Sequence, residues 1–494
     1  MLLLVTRILP QELLAAKLTA DRFTISEPAV APKPAAADIL YHDELEKHSG
    51  RELLDALRQT LIGRGVRVPT AEGARPFVNL DNAASTPTFE PIWNAVCQTW
   101  RQPGHVQGEI IQEVKNICAE ALGAPPADHD VVFTSNTTEA INLVAESLRN
   151  EPDQDAETIV LNTFLEHNSN ELPWRTIPGV SLIRLPVDAE GFIDLNEMET
   201  LLRAYNQEGH DVNKRIKLVA VSGASNVLGT FNDLAEISRI VHRYGARLLV
   251  DAAQLVAHRK VEMAGWGIDY LAFSAHKVYA PFGSGVLLAR KGLLSFSSAE
   301  LALIRSSGEE NVGGIAALGK ALVLLRRIGL DVIQEEEQAL TGRALAGLAQ
   351  IPGITIYGIK DPVSPRFARK GGVIAFDVKG ILPSRVAKEL AAQGGIGVRY
   401  GCHCAHLLIK RLVGIPPLLE RLQGLIVTLL PQVNLPGVVR VSLGIENSEA
   451  DVDTLIQVLG EIARQPRARG AREVQQQMDD FTRAAPRSVY GPQA

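Results

Sequence analysis

The chain has 494 residues, 21 % of them charged, and a formal net charge of -6; this length provides core for about two or three domains, and the charge balance excludes a nucleic-acid footprint. Its four cysteines, Cys97, Cys118, Cys402 and Cys404, are too few for a disulfide framework. No run approaches the roughly 18 apolar residues of a membrane span, and Met1 to Val5, cut short by Arg7, has neither the apolar length nor the cleavage site of a secretion signal; a cytoplasmic protein with small-molecule or protein partners is expected.

Residues 24–38, rich in Pro and Ala, read as a linker. Leu45, Leu53, Leu54, Leu57 and Leu61 then recur at near-helical spacing, which predicts a helix over 43–61. Together these make residues 1–75 an N-terminal extension. From 76 to 330 short β-branched runs alternate with longer amphipathic stretches, the pattern of a parallel sheet covered by helices. The strands expected are 131–133, 158–161, 217–221, 247–250 and 270–273, and each ends in polar residues. A helix over 332–348 opens a smaller α+β domain, 331–465, with strands at 372–376 and 438–442. The Arg- and Gln-rich stretch 466–494 has little to bury and reads as a tail. The fold class expected is α/β, with ligands bound beyond the carboxyl ends of the strands.

The strand over 270–273 runs into Ser274-Ala275-His276-Lys277. Desolvation lowers a lysine pKa, and the neutral amine is the form that condenses with an aldehyde. The preceding strand delivers Asp251, followed by Gln254; a carboxylate there is either a helix N-cap or the partner of a protonated ring nitrogen. One strand-helix-strand step separates Asp251 from Lys277, so both can reach one ligand. Upstream, Thr137 and Thr138 precede an expected helix over 140–148, and a helix N-terminus carries free N–H groups for a phosphate. His167 and Asn226 also follow strands. One ligand would use an amine, a carboxylate, a flat group, an amide donor and a phosphate cup together: pyridoxal 5'-phosphate.

The segments Leu80-Asp81-Asn82-Ala83-Ala84, Phe133 to Leu143, Glu166-His167, Ser225-Asn226-Val227-Leu228-Gly229, Val250-Asp251-Ala252-Ala253-Gln254 and Phe273-Ser274-Ala275-His276-Lys277 resemble, in order, the motifs of cysteine desulfurases, particularly the SUF-type and selenocysteine lyase-like group of the class V aminotransferase fold. The resemblance covers residues 78–447. It implies the type I fold of pyridoxal-phosphate enzymes, with a large domain built on a seven-stranded, mainly parallel sheet. It also implies a homodimer, Lys277 as the Schiff-base lysine, Asp251 at the pyridine nitrogen and His167 stacked on the ring. Gln254 and Asn226 would serve the phenolic oxygen, and Thr138, Ser274 and His276 the phosphate, to which the helix start read above adds Thr137. Cys404, in Gly401-Cys402-His403-Cys404-Ala405-His406, falls on the position of the family's nucleophilic cysteine, which takes sulfur from L-cysteine as a persulfide, releases L-alanine and passes the sulfur to an acceptor. Arg399, His403 and His406 are the groups expected to lower its thiol pKa. By the same resemblance Arg440 grips the substrate carboxylate, with Arg399, Asn226 and Ala83 beside it. A guanidinium suits that task because it offers a bidentate fork.

Three positions depart from the family: Glu309 in Gly308-Glu309-Glu310-Asn311, where a threonine reaches the cofactor phosphate of the second subunit; Asn136 in place of a glycine; and Gly223 in place of a histidine. The residues leave alternatives open: another class V enzyme (aminotransferase, lyase or epimerase) with Cys404 as a bystander, a non-catalytic relative, or a metal site of Cys402, His403, Cys404 and His406. Separated ligand pairs, the usual zinc arrangement, are absent, so no metal is expected.

Overall fold

The computed structural model describes residues 35–151, 157–209, 211, 213–414 and 437–464, with a few positions between 476 and 483. Most of the linker and of the C-terminal tail, and all of the first five residues, lie outside the described residues.

A short helix, Ala36–Tyr41, occupies the end of the expected linker. The helix predicted over 43–61 is shorter, Gly50–Gln59. Its expected first turn is drawn off by Asp43, whose carboxylate receives Lys320 at 2.7 Å and Arg327 at 2.7 Å. Leu40, Leu53, Leu54 and Leu57 are buried in the main core cluster, so both helices pack on the body of the chain. Short strands β1 (Arg67–Thr70) and β2 (Gly73–Pro76) form a hairpin. After them β3 (Val78–Asn79) leads the chain toward the sheet.

The large sheet is made from β4 (His129–Thr134), β5 (Glu157–Thr163), β6 (Val180–Leu185), β7 (Lys214–Ser222), β8 (Arg247–Asp251), β9 (Tyr270–Ser274) and β10 (Gly285–Arg290). Its seven strands lie in the order β4-β10-β9-β8-β7-β5-β6. Pairings are parallel except at β10, which runs antiparallel to β4 and β9. Leu248, Leu249 and Val250 are fully buried, as is all of β9, because helices cover both faces and leave no polar side to a central strand. The five strands expected in the large domain are all in this sheet. Two were missed: β6, an edge strand of only intermediate burial for most of its length, and β10. Thr134, Thr163, Ser222, Asp251 and Ser274 close five strands at one rim.

The second sheet holds β11 (Ile354–Ile356), β12 (Val373–Val378), β14 (Arg399–Gly401) and β15 (Val438–Ser442), all antiparallel, in the order β11-β12-β15-β14. Between β12 and β14 in sequence, β13 (Ile396–Gly397) pairs in parallel with β3. The helix predicted over 332–348 spans Leu330–Ala349. Among the described residues no helix is long and apolar enough to cross a membrane.

Glu337, on that helix, ties the sheets' connecting segments together. It accepts from His258 at 2.8 Å, from Arg259 at 2.6 Å and from the Gly372 N–H at 2.9 Å. Burial alone would raise its pKa, but His258, Arg259 and the Gly372 N–H outweigh it and hold the carboxyl at about 2. The folded chain therefore binds this proton more weakly than the unfolded one, whose value is about 4.3. The stabilisation is complete above that value and is lost as pH falls toward 2. Glu337→Gln is expected to cost about 3 kcal/mol at neutral pH. In thermal unfolding followed across pH, the gap between variant and wild type should narrow below about pH 4 and close only as pH approaches 2.

Candidate active site

The polar residues at the rim of the large sheet and a loop of the small one line a single cavity of about 530 Å³. Ala83, Thr137, Thr138, His167, Asn226, Asp251, Gln254, Ser274, His276, Lys277, Arg399, Cys404 and Arg440, every site residue expected from the sequence, are in its wall.

Lys277 ends the single 3-10 turn Ala275–Lys277 that follows β9. Burial pushes its ammonium pKa below the ordinary lysine value, against the opposing pull of Asp251. Asp251 ends the neighbouring strand β8 and is 4 % exposed. It accepts one hydrogen bond from the Ala253 N–H at 3.0 Å, and burial raises its pKa. A buried carboxylate with a single backbone donor is stabilised by a cationic N–H brought into the cavity.

At β4 the helix expected to begin at Ala140 begins at Thr137 and runs to Arg149. Asn136, one of the three departures, is its N-cap, accepting from the Glu139 N–H at 3.0 Å. Thr137 is turned inward, its N–H and hydroxyl both 2.7 Å from the Ser274 hydroxyl. The Thr138 N–H and hydroxyl and the His276 ring have no hydrogen-bond partner among the described residues and line the cavity. Burial, then Lys277, depress the His276 pKa to about 4, so its ring is a neutral donor.

His167 follows β5 and caps the 3-10 turn Asn168–Asn170. Its Nδ1 accepts from the Ser169 N–H at 3.2 Å, which leaves the proton of the neutral ring on Nε2. Burial and then the cations Lys277 and Arg440 lower its pKa to about 4. The preceding Glu166 accepts from Thr163 at 2.5 Å, Asn170 at 2.6 Å and Ser222 at 2.7 Å. It thereby fixes the His167 turn to the ends of β5 and β7, and burial raises its pKa to about 7. Gln254 donates one N–H to the Ala83 carbonyl at 2.7 Å, and Asn226 one to the His403 carbonyl at 2.8 Å. Each amide retains a second N–H.

Cys404 is exposed on a turn where His403 and Cys404 both have positive φ, 51° and 53°. Non-glycine residues rarely adopt that conformation, and two in succession persist only when their surroundings hold them. Here both carbonyls are held, that of His403 by Asn226 and that of Cys404 by the Asn168 N–H at 2.7 Å. The expectation that His403 helps lower the thiol pKa is corrected. Burial and then Arg440 bring its own pKa down to about 3, and Nε2 faces the Val438 carbonyl at 3.1 Å, so it supplies no positive charge. Among the described residues no group of three or more His, Cys, Asp or Glu side chains is placed to hold a metal, so the metal reading of residues 402–406 has no ligand set behind it.

Arg440 is 2 % exposed. It donates to the Asn226 carbonyl at 3.1 Å and to Asp81 Oδ1 at 2.8 Å, while its buried Nε has no partner. Arg399 reaches the other Asp81 oxygen at 2.9 Å. Asp81 is thus a residue of the site to which the sequence reading gave no role. Its arginines are 318 and 359 positions away, and no local pattern announces them. Glu309 is 2.7 Å from Lys115, which offsets its charge. At Gly223 a Cβ would approach Leu255 to 2.8 Å, so a larger residue does not fit there without movement.

This donor set suits pyridoxal phosphate: a buried amine, a buried carboxylate short of partners, a neutral imidazole and unpartnered donors at a helix N-terminus.

Comparison with known proteins agrees with the geometry. The aminotransferase class-V family matches residues 78–455. A cysteine desulfurase of Dickeya dadantii is 34 % identical over 377 residues, covering 72 % of this chain and 81 % of that protein. A probable cysteine desulfurase of Halalkalibacterium halodurans is 32 % identical, covering 68 % and 86 %. Among solved structures, a cysteine desulfurase from Thermococcus onnurineus NA1 superposes with a TM-score of 0.64 at 27 % identity over 78 % of this chain and 95 % of that one. One from Escherichia coli gives 0.65 at 25 % identity over 79 % and 96 %. The chain therefore belongs to the class-V aminotransferase family and, within it, to the pyridoxal-phosphate-dependent cysteine desulfurases.

Proposed function

We propose that the chain removes sulfur from L-cysteine, holding it as a persulfide on Cys404 and releasing L-alanine, and then passes it to an acceptor protein. The observation that carries this reading is the meeting of Lys277, Asp251, Arg440 and Cys404 in one cavity. Thr138, Ser274 and His276 would hold the cofactor phosphate, Asp251 the ring nitrogen, His167 the ring face, and Asn226 and Gln254 the phenolic oxygen. Bound there, pyridoxal phosphate supplies an electron sink for the bonds broken at the substrate.

Arg440 holds the substrate carboxylate, with a buried Nε–H still to be satisfied. Lys277, its pKa lowered by burial, takes the proton from the substrate Cα. The Cys404 thiolate attacks the substrate sulfur, forming the S–S bond as the carbon–sulfur bond breaks. The bonding pair stays with the carbon fragment, which is protonated to alanine. The exposed Cys404 at the turn of residues 403 and 404 lines the cavity and is open to solvent, where an acceptor can collect the sulfur. A homodimer in the cytoplasm, where thiols stay reduced, is part of this reading.

Incubating the purified holoenzyme with L-cysteine and a thiol reductant should yield sulfide and alanine in equal amounts. Cofactor bound with neither product formed would refute it.

A further inference from the structure

Lys370, just ahead of β12, is fully buried, 0 % exposed, and lies outside the wall of the active-site cavity. A lysine is rarely enclosed unless it is paired. This one is held by carbonyls: its Nζ donates to the Leu228 carbonyl at 2.6 Å and to that of Val373. Burial lowers its pKa to about 7, against the pull of Glu337. The ammonium offers three N–H groups and the neutral amine two, so both carbonyls are answered in either form.

The Leu228 carbonyl belongs to the turn that carries Asn226. Within that turn the Gly229 N–H donates to the Ser225 carbonyl at 3.0 Å and the Leu228 N–H to the Ser225 hydroxyl at 3.0 Å. The backbone of Lys370 runs alongside, with Thr230 and Lys370 forming an antiparallel bridge. The Gly371 N–H donates to the Gly229 carbonyl at 2.8 Å, and the Phe231 N–H to that of Arg369 at 3.0 Å. Gly229 has a φ of 65°, and a Cβ there would lie 3.0 Å from Lys370 Nζ and 2.6 Å from the Val373 carbonyl oxygen, so turn and lysine are fitted against each other.

Asn226, two residues before the held carbonyl, joins three parts of the site. Its carbonyl accepts from Arg440 at 3.1 Å, its amide donates to the His403 carbonyl beside Cys404 at 2.8 Å, and it lines the cavity. Without Lys370 the Leu228 carbonyl loses this donor in a buried place, and a buried acceptor left unanswered is costly enough for the turn to shift. We propose that Lys370 is a positioning residue for Asn226: by holding the Leu228 carbonyl it fixes the turn in the setting where the Asn226 amide reaches the His403 carbonyl and the cofactor's phenolic oxygen together. This rests on the reading that Asn226 serves that oxygen.

A donor to the phenolic oxygen favours its charged form, so losing the donor raises the pH midpoint at which the visible band of the bound cofactor changes. The holoenzymes of wild type, K370M, N226A and the double variant are compared by that midpoint and by thermal unfolding. N226A should raise the midpoint by about one unit and K370M by about half a unit. In the N226A background K370M should add less than about 0.2 unit, since a residue that acts through another has no effect once that one is gone. K370Q, whose amide keeps N–H donors in the same space, should fall between wild type and K370M, and it carries the same cycle if K370M does not fold. Shifts that add in full overturn the proposal. So does a lowered thermal midpoint with the cofactor midpoint unmoved, the mark of a purely structural lysine. If N226A leaves the cofactor midpoint in place, the phenolic-oxygen reading of Asn226 falls and the proposal with it, whereas a shift in N226A with none in K370M refutes the role of Lys370 alone.

Discussion

Lys277→Ala is expected to lower alanine formation from L-cysteine by about 10³-fold or more, within the range that a positioned base and covalent anchor contribute. The amine sits where burial lowers its pKa and where Asp251, at the end of the adjacent strand, keeps a carboxylate in the same cavity. No other lysine lines that cavity among the described residues, so none is placed to substitute. The visible absorbance of cofactor joined to lysine should disappear from the variant, while its thermal midpoint, tied to the sheets rather than to the rim, should move little. A variant that keeps both the absorbance and the turnover would show that the cofactor is anchored elsewhere.

Cys404→Ser should abolish sulfide release to a similar degree, about 10³-fold, and leave cofactor binding intact, because the thiol is exposed and no cofactor-facing side chain depends on it for a hydrogen bond. Cys402→Ala is the control: it retains Cys404, and activity should stay within about threefold of wild type. The reverse outcome, activity lost at 402 and kept at 404, would move the nucleophile two residues. The contrast is sharp because the turn differentiates the two sulfurs. Cys402 is half-buried with its thiol pKa pushed up, first by burial, while Cys404, at a φ of 53°, is exposed and lines the cavity.

The rim of the large sheet was legible in the sequence for a physical reason. A parallel strand buried on both faces is a continuous apolar run, and the polar residue that ends it stands out: Asp251 after Leu248, Leu249 and Val250, or Ser274 after Leu271, Ala272 and Phe273. Edge strand β6 gave no such contrast, since most of its positions are only half-buried. The helix predicted over 43–61 illustrates a local preference overruled from afar. Its leucines have helical spacing, but Asp43 is committed to Lys320 and Arg327 nearly three hundred residues away, and the chain turns instead of winding. Asp81 was invisible as a site residue for the same kind of reason: its role is set by Arg399 and Arg440 on other strands. His403 shows the opposite error. A histidine beside a cysteine looks like a cation, yet burial beside Arg440 leaves it neutral.

The account turns on where the sulfur atom goes. Mix holoenzyme with one equivalent of L-cysteine in the absence of reductant, digest it, and weigh the peptide that carries residues 402 and 404. The peptide should gain the mass of one sulfur atom, fragmentation should place it on Cys404, and treatment with a thiol should remove it. Alanine released with no sulfur on that peptide would contradict a persulfide at Cys404.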